Sequence, residues 1–511
     1  MMRPNTDAMS RAGRPVALGL VALLALTGAA AADEADAAPQ AFDIELAVER
    51  ELIHDDAVPY DALDIEVNDG VVTLSGTVDN LLAKQRAVRR ARVVRGVESV
   101  IDRIRVEPAP VYSDSDLTRR VEQALLIDPA TDEFEIEVSA SGGVIALSGR
   151  VESYQEKLLA AAVASGVSGV VEVDNRIQVD YRTERSDGEI RDDVARALER
   201  DVLVDARPIE ISVEDGRVEL GGSVGSAAER RRAALDAWVA GVAQVDARGL
   251  EVLDWMHTDD IRADPTPDKP DNAVATAVRD ALLLDPRVDA IAVQVLVRNG
   301  VVTLRGQVDN LKARRTAADD ARNTLGVRTV RNRIQVRPAP ELEPDELADA
   351  AAAALDRDPY LEPYDLQVRA RGDRIILNGT VDTYFHKGQA DDVVARVKGV
   401  AAIENNLLVD DAHHPLVLSP HIDSWSLTGL DWYDYQPAKS FESDAAIHLA
   451  VEEQLAWSPF VDADDVEVEV ADGVVTLRGE VSDRHQRQAA GRNALEGGAV
   501  WVHNRLQIAG R

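Results

Sequence analysis

Read as apolar and polar positions, the chain repeats one pattern six times. Each copy opens with apolar residues spaced i, i+4, i+8, as in Ile447, Val451 and Leu455, with Glu452 and Glu453 between them. That spacing puts one stripe on one face and predicts an amphipathic helix. In most copies an X-Pro pair follows: Asp128-Pro129, Asp285-Pro286, Asp358-Pro359 and Ser458-Pro459. Proline lacks a backbone donor and disfavours helix in the residue before it, so the helix stops there. Next, Val466, Val468 and Val470 alternate with Glu467 and Glu469, a strand with one buried and one wet face. Asp69-Gly70, Asp215-Gly216, Asn299-Gly300 and Asp472-Gly473 supply the positive-φ turn of a tight hairpin.

The second strand carries the clearest phrase, Gly-Val-Val-Thr-Leu-x-Gly, at Gly70 to Gly76, Gly300 to Gly306 and Gly473 to Gly479. Weaker copies end at Gly149, Gly222 and Gly379. A second helix is predicted over 82–94 of the first copy, with Ala87, Ala91 and Val94 inward. It ends near Gly96-Val97, as its counterparts end near Gly326-Val327 and Gly399-Val400, where glycine can take a left-handed cap. A last strand closes each unit, Val173 to Val179 or Val330 to Val336.

Successive final glycines are 73, 73, 84, 73 and 100 residues apart. Self-similarity at a near-fixed period sets the unit of folding. Val78-Asp79-Asn80-Leu81 recurs 230 residues later as Val308-Asp309-Asn310-Leu311, and Tyr154 and Asn175 recur as Tyr384 and Asn405. The chain therefore reads as a duplicated three-module unit with an insertion before the sixth module. The expected fold is α/β (α+β-type), a tandem array of α-β-β-α-β domains, each a three-stranded mixed sheet packed by two helices. The expected modules span 43–108, 115–180, 187–253, 271–337, 344–410 and 443–509, with tethers at 254–270 and 411–442. Units of about 65 residues sit near the lower limit for an independent core. Each is expected to stand nearly alone with some help from its neighbours, and the chain to part into halves near 263–271, where Pro265, Pro267 and Pro270 fall.

Residues 1–32 fit a secretory signal peptide: Arg3, Arg11 and Arg14, an apolar run from Val16, then Ala30-Ala31-Ala32. The expectation is export to a periplasm. With no cysteine in the sequence, neither disulfides, thiol chemistry nor a lipoprotein anchor is expected. The formal charge is −35, from 91 acidic and 56 basic residues, which argues against nucleic acid as a partner. No catalytic constellation emerges, so neither an enzyme, a cofactor nor a small-molecule substrate is expected. The 411–442 insertion gathers His413, His414, His421, Trp425, Trp432, Tyr433 and Tyr435. His413, His414 and Asp423 could be imagined as metal ligands; the reading adopted is a linker whose aromatics pack between modules.

One basic cluster interrupts the acidity: Lys84, Arg86, Arg89, Arg90, Arg92 and Arg95 on the second helix of the first module. At 100° per residue, Arg86, Arg89 and Arg92 fall away from the Ala87/Ala91/Val94 face, with Arg90 on the flank. These four arginines are the candidate lipid-binding residues; the competing reading is a solvated helix face. Gly70, Gly76, Gly149, Gly222, Gly300, Gly306, Gly379, Gly473 and Gly479 are expected to be structural, serving turns and caps.

The element order, the phrase Gly-Val-Val-Thr-Leu-x-Gly-x-Val, the later Gly-Val and the closing Asn-x-Ile/Leu resemble the BON (bacterial OsmY and nodulation) domain family. The third module departs most, with Ala247 where others have Asn or Asp. The resemblance implies association with membrane phospholipid or envelope components and a role in osmotic stress. The alternative expectation is a periplasmic chaperone or a multivalent scaffold for client proteins.

Overall fold

The computed structural model describes residues 40–53, 55–131, 134–181, 185–201, 203–253, 269–337, 342–409, 444–458, 461, 463–471, 474–481, 484–496, 499 and 501–508. The signal-peptide segment, both expected tethers except 269–270, and Gly473 lie outside them. Each module has a helix, a hairpin, a second helix and a closing strand. In the first these are Ala41–Ile53, Leu63–Asn68 with Val71–Val78, Leu81–Arg92 and Ser99–Val106. The central strand pairs antiparallel with the first and parallel with the last, the mixed sheet expected from the sequence. In modules two and six the closing strand is split, into Glu172–Asn175 with Gln178–Val179 and Trp501–Asn504 with Gln507–Ile508.

The helix stripes bury as their spacing requires. Ile447, Val451 and Leu455 are buried, as are Ala87, Ala91 and Val94. Full burial of a leucine-sized side chain is worth about 1.5–3 kcal/mol, so these stripes are what fasten helices to sheets. First helices end at Ile127, Leu284 and Arg357, each directly before an Asp-Pro pair.

The repeated glycines divide into two jobs. At the hairpin, Asn299 (φ +51°) and Gly300 (φ +72°) are both left-handed, as are Asp69 and Gly70. Two consecutive positive φ values match the twist of the flanking strands. The final glycine of the phrase sits inside the central strand; at Gly306 (φ +143°) an added Cβ would overlap the Ala292 carbonyl oxygen. Gly76, Gly149, Gly222 and Gly479 meet the same carbonyl crowding, and Gly379 a looser version of it. Gly96, Gly326 and Gly399 are left-handed too, but they lie in the turn beyond the helix ends rather than at the cap itself.

The closing asparagine is a bridge. Asn332 Nδ2 donates to the Arg314 carbonyl (2.6 Å) in the second helix, and its Oδ1 accepts from Ile334 N (3.1 Å). Asn175, Asn405 and Asn504 repeat both bonds. In module one Asp102 keeps the acceptor half, and Lys84 Nζ reaches the Ile104 carbonyl (2.7 Å). Module three, with Ala247 at this position, has no side chain to make either asparagine bond; Arg230 Nη1 reaches the Leu250 carbonyl (3.4 Å), and the strand register slips between Asp246 and Gly249. The sequence departure and the bulge coincide.

The modules do not stand apart. The cores of modules one, two and five merge into one cluster, while three, four and six keep separate ones. Modules one, two and five therefore lack the near-independence expected of them, and their packing crosses the expected boundary between halves. Modules one and two, from the first half, share a core with module five from the second.

Candidate functional site

Five aspartates recur at the glycine spacing: Asp55, Asp128, Asp201, Asp285 and Asp358. Each directly follows or closely trails the first helix and accepts a hydrogen bond from the backbone N–H two residues on. That local turn fixes the carboxylate and points it inward, where the modules meet. A buried carboxylate then requires a cation or a polar partner.

Module one supplies the largest answer. Asp55 is 1% exposed and accepts from Arg86 Nε (2.6 Å) and Arg90 Nε (2.8 Å). Glu51 lies 3.8 Å from Arg90, itself only 8% exposed. The Arg86 guanidinium also sits over the Phe385 ring of module five, 5.1 Å from its centroid. Arg92 faces Arg230 and Arg231 of module three; burial, then those like charges and Arg89, lower its pKa to about 10. The expected placement, Arg86, Arg89 and Arg92 outward with Arg90 on the flank, is thus corrected for Arg86, Arg90 and Arg92, while Arg89 is half-buried. Arg86 and Arg90 turn inward to a buried acid, and Arg92 is partly covered by a neighbouring module. Helix-wheel geometry places these residues correctly relative to their own core and cannot see modules three and five.

The other corners use different partners. Arg232 Nε meets Asp201 (2.6 Å), Arg287 Nε meets Asp285 (2.8 Å), and Gln389 Nε2 donates to Asp358 (2.7 Å). Between modules four and five, Lys312 Nζ (2.6 Å) and Arg396 Nη2 (2.5 Å) both hold Asp392. Lys312 is 3% exposed. Burial alone would raise the Asp392 carboxyl; the two cations outweigh it and hold the group well below the usual carboxylate range. Among the described residues no cation contacts Asp128 directly, and burial pushes its carboxyl up, opposed by the Ala130 N–H and by Arg396, Arg287 and Lys312.

Ring stacking and further hydrogen bonds complete the junctions. Tyr154 of module two stacks on Trp238 of module three, with centroids 3.7 Å apart and rings 7° from parallel. Tyr360 Oη of module five donates to the Ala57 carbonyl (3.2 Å), and Ser168 N of module two donates to the Arg357 carbonyl (2.7 Å). Leu325 N donates to the Arg200 carbonyl (2.7 Å), tying module four to three. Tyr112 and Ser168 both donate to Glu362, and Arg230 donates to the Glu98 carbonyl.

Two buried groups of module five titrate in opposite senses. Burial pushes the Asp358 carboxyl up to about 6, against its bonds from Gln389 and Tyr360. Burial also lowers the His386 imidazole to about 4, opposed by Asp382. For Asp358 the folded protein holds the extra proton between pH 3.8 and about 6, so stability from this group is present below that window and lost as pH rises through it. The loss is about 3 kcal/mol, at 1.36 kcal/mol per unit. Asp358→Asn removes it. Relative to the parent, the variant is expected to be about 2 kcal/mol more favourable at pH 7 than at pH 4, since pH 4 already lies inside the window, the His386 contribution cancelling between parent and variant. Urea unfolding at both pH values checks this; a difference that does not change with pH would refute it.

Among the described residues no helix is long and apolar enough to cross a membrane, and no cluster of acid, histidine or cysteine side chains is arranged to hold a metal. The imagined His413, His414 and Asp423 set lies outside the described residues, as do the other aromatics of that insertion.

Comparison with known proteins agrees with this architecture. The model of the BON domain matches residues 40–108, 113–181, 186–254, 270–338, 345–411 and 443–510. Osmotically-inducible protein Y of Escherichia coli K12 is 31% identical over 137 residues, 26% of this chain and 68% of that protein. Outer membrane lipoprotein DolP of Haemophilus influenzae is 33% identical over 108 residues, 20% of this chain and 55% of that protein. Among solved structures, CdsD, a structural protein of the type III secretion system of Chlamydia trachomatis, matches at 17% identity and a TM-score of 0.13, over 44% of this chain and 94% of that one. At that score the likeness carries no weight.

Proposed function

The chain belongs to the BON-domain family, and from that membership we propose a non-enzymatic, exported binding protein of the cell envelope. It associates with phospholipid headgroups or other envelope components and supports envelope integrity under osmotic stress. The names of two relatives support the setting: one is osmotically inducible, the other an outer membrane lipoprotein. One structural observation carries the reading. The residues that define the repeat are spent on folding: hairpin turns, close strand approach, the asparagine bridge and the buried aspartate corner. The outward strand residues differ from module to module, so function is assigned to surface contacts.

Exposed apolar side chains such as Phe42, Val111, Leu126 and Leu449 are spread over different modules. Single exposed apolar residues are ordinary and give no separate support to client holding. Co-sedimentation of the mature protein with phosphatidylglycerol and phosphatidylcholine vesicles, over a salt series, tests the proposal. Pelleting with the anionic vesicles that weakens as salt rises is the expected result. Suppression of client aggregation with no vesicle binding under any condition would overturn it in favour of a chaperone.

A further inference from the structure

We propose that the open face of the module-four sheet is a docking surface for a membrane bearing anionic phospholipid headgroups, an assignment that rests on the envelope-binding function proposed above. Strand register builds this face row by row. Gln294 lies beside Arg305, and Arg305 beside Arg333; Leu296 lies beside Thr303, and Thr303 beside Arg331. Arg298 lies beside Val301, and Val301 beside Thr329. Val293, Val295, Val302 and Leu304 point the other way, into the core. Alternation therefore sends Arg298, Arg305, Arg331 and Arg333 outward together, and all four are exposed. No aspartate or glutamate stands on the face. Among the described residues none of the four arginines is in an ion pair; the nearby Asp271 accepts from the hairpin N–H groups of Asn299 and Gly300, and Arg298 is one of the charges that help to lower its carboxyl.

No other module presents this. The matching face carries Asp64 and Glu66 in module one, Glu135, Glu137 and Asp174 in module two, and Glu210, Glu214 and Glu219 in module three. In module five Glu404 lies 3.9 Å from Arg374, and in module six Glu469 lies 2.6 Å from Arg478. A chain of net charge −35 thus keeps one sheet face free of acid and sets four arginines on it. The remaining negative charge does not forbid docking, because charges beyond the Debye length of about 8–10 Å are screened at physiological salt.

The face suits phosphodiester headgroups. Guanidinium forks bind phosphate through paired hydrogen bonds and shed water more readily than ammonium groups. Leu296, 50% exposed, stands in the middle row. It can enter the headgroup layer while the arginines hold phosphates around it. The surface is a sheet face rather than a groove, which fits a membrane plane better than an extended acidic peptide.

The test uses the mature chain and its variant Arg298→Gln/Arg305→Gln/Arg331→Gln/Arg333→Gln. All four side chains are exposed, so the thermal transition should match the parent. Affinity for phosphatidylglycerol vesicles at low salt should fall by about a thousandfold, four basic contacts together. A control variant losing Arg103, Arg105, Arg369 and Arg371 from the acid-bearing faces of modules one and five should bind as the parent does. If the module-four variant binds anionic vesicles undiminished, this surface assignment is wrong while the envelope reading stands. If the parent itself binds no vesicle, both fall. Parent binding to polyaspartate in preference to vesicles would give the face to an acidic protein and overturn the assignment.

Discussion

Asp392→Ala is expected to destabilise the protein by about 3–5 kcal/mol, the cost of leaving buried charge uncompensated. Removing this carboxylate strands Lys312, 3% exposed, and takes away the bond that Arg396 makes at 2.5 Å. The pair next to it provides the control. Arg315 and Asp391 are 2.5 Å apart but lie nearer solvent, with side chains 19% and 21% exposed. Asp391→Ala should therefore cost only about 1 kcal/mol or less. Urea unfolding of both variants at pH 7 reads the difference; equal losses would show that the buried pair has no special role.

The second large effect lies in the strand glycine. Gly306→Val should cost about 3–5 kcal/mol, combining backbone strain at φ +143° with overlap of the new side chain and the Ala292 carbonyl. Gly372 separates those two causes. It is also left-handed (φ +61°), yet nothing lies near where its Cβ would stand. Gly372→Ala should cost only the conformational part, about 1–2 kcal/mol. Thermal or urea unfolding decides; similar losses at both sites would mean that close approach is not the reason for the repeated glycine.

The fold was legible because its signals are local. A period-2 run, an Asn-Gly turn and an i, i+4, i+8 stripe each need only neighbours in sequence, and all recur. The glycines at 76, 149, 222, 306, 379 and 479 mark the unit whatever the surrounding residues. The junctions were not legible from the same reasoning. Arg86 meets Phe385 across nearly 300 positions of chain, and no helical wheel of one module reports that. A usable signal did exist. Aspartate recurs at 55, 128, 201, 285 and 358 with the same steps as the glycines, and a charge repeated with a structural period is a charge with a structural job. At 128, 285 and 358 the aspartate belongs to an Asp-Pro helix stop, where the proline alone explains the break. The open sheet face of module four was missed for another reason. Its arginines are spread over three strands, and only register brings Arg298, Arg305, Arg331 and Arg333 onto one surface.

The tandem repeat alone predicts modules that open one by one, with stability summed over neighbours. The shared core of modules one, two and five, the stacked Tyr154 and Trp238, and the buried Lys312–Asp392–Arg396 group argue instead for one body over residues 40–409. Native-state hydrogen exchange under increasing denaturant separates the two most directly. The slowest amides of the first five central strands, such as those of Leu74, Leu147, Leu220, Leu304 and Leu377, should converge on one opening free energy with one denaturant slope. Five distinct free energies, each with the small slope of a single module, would contradict the account.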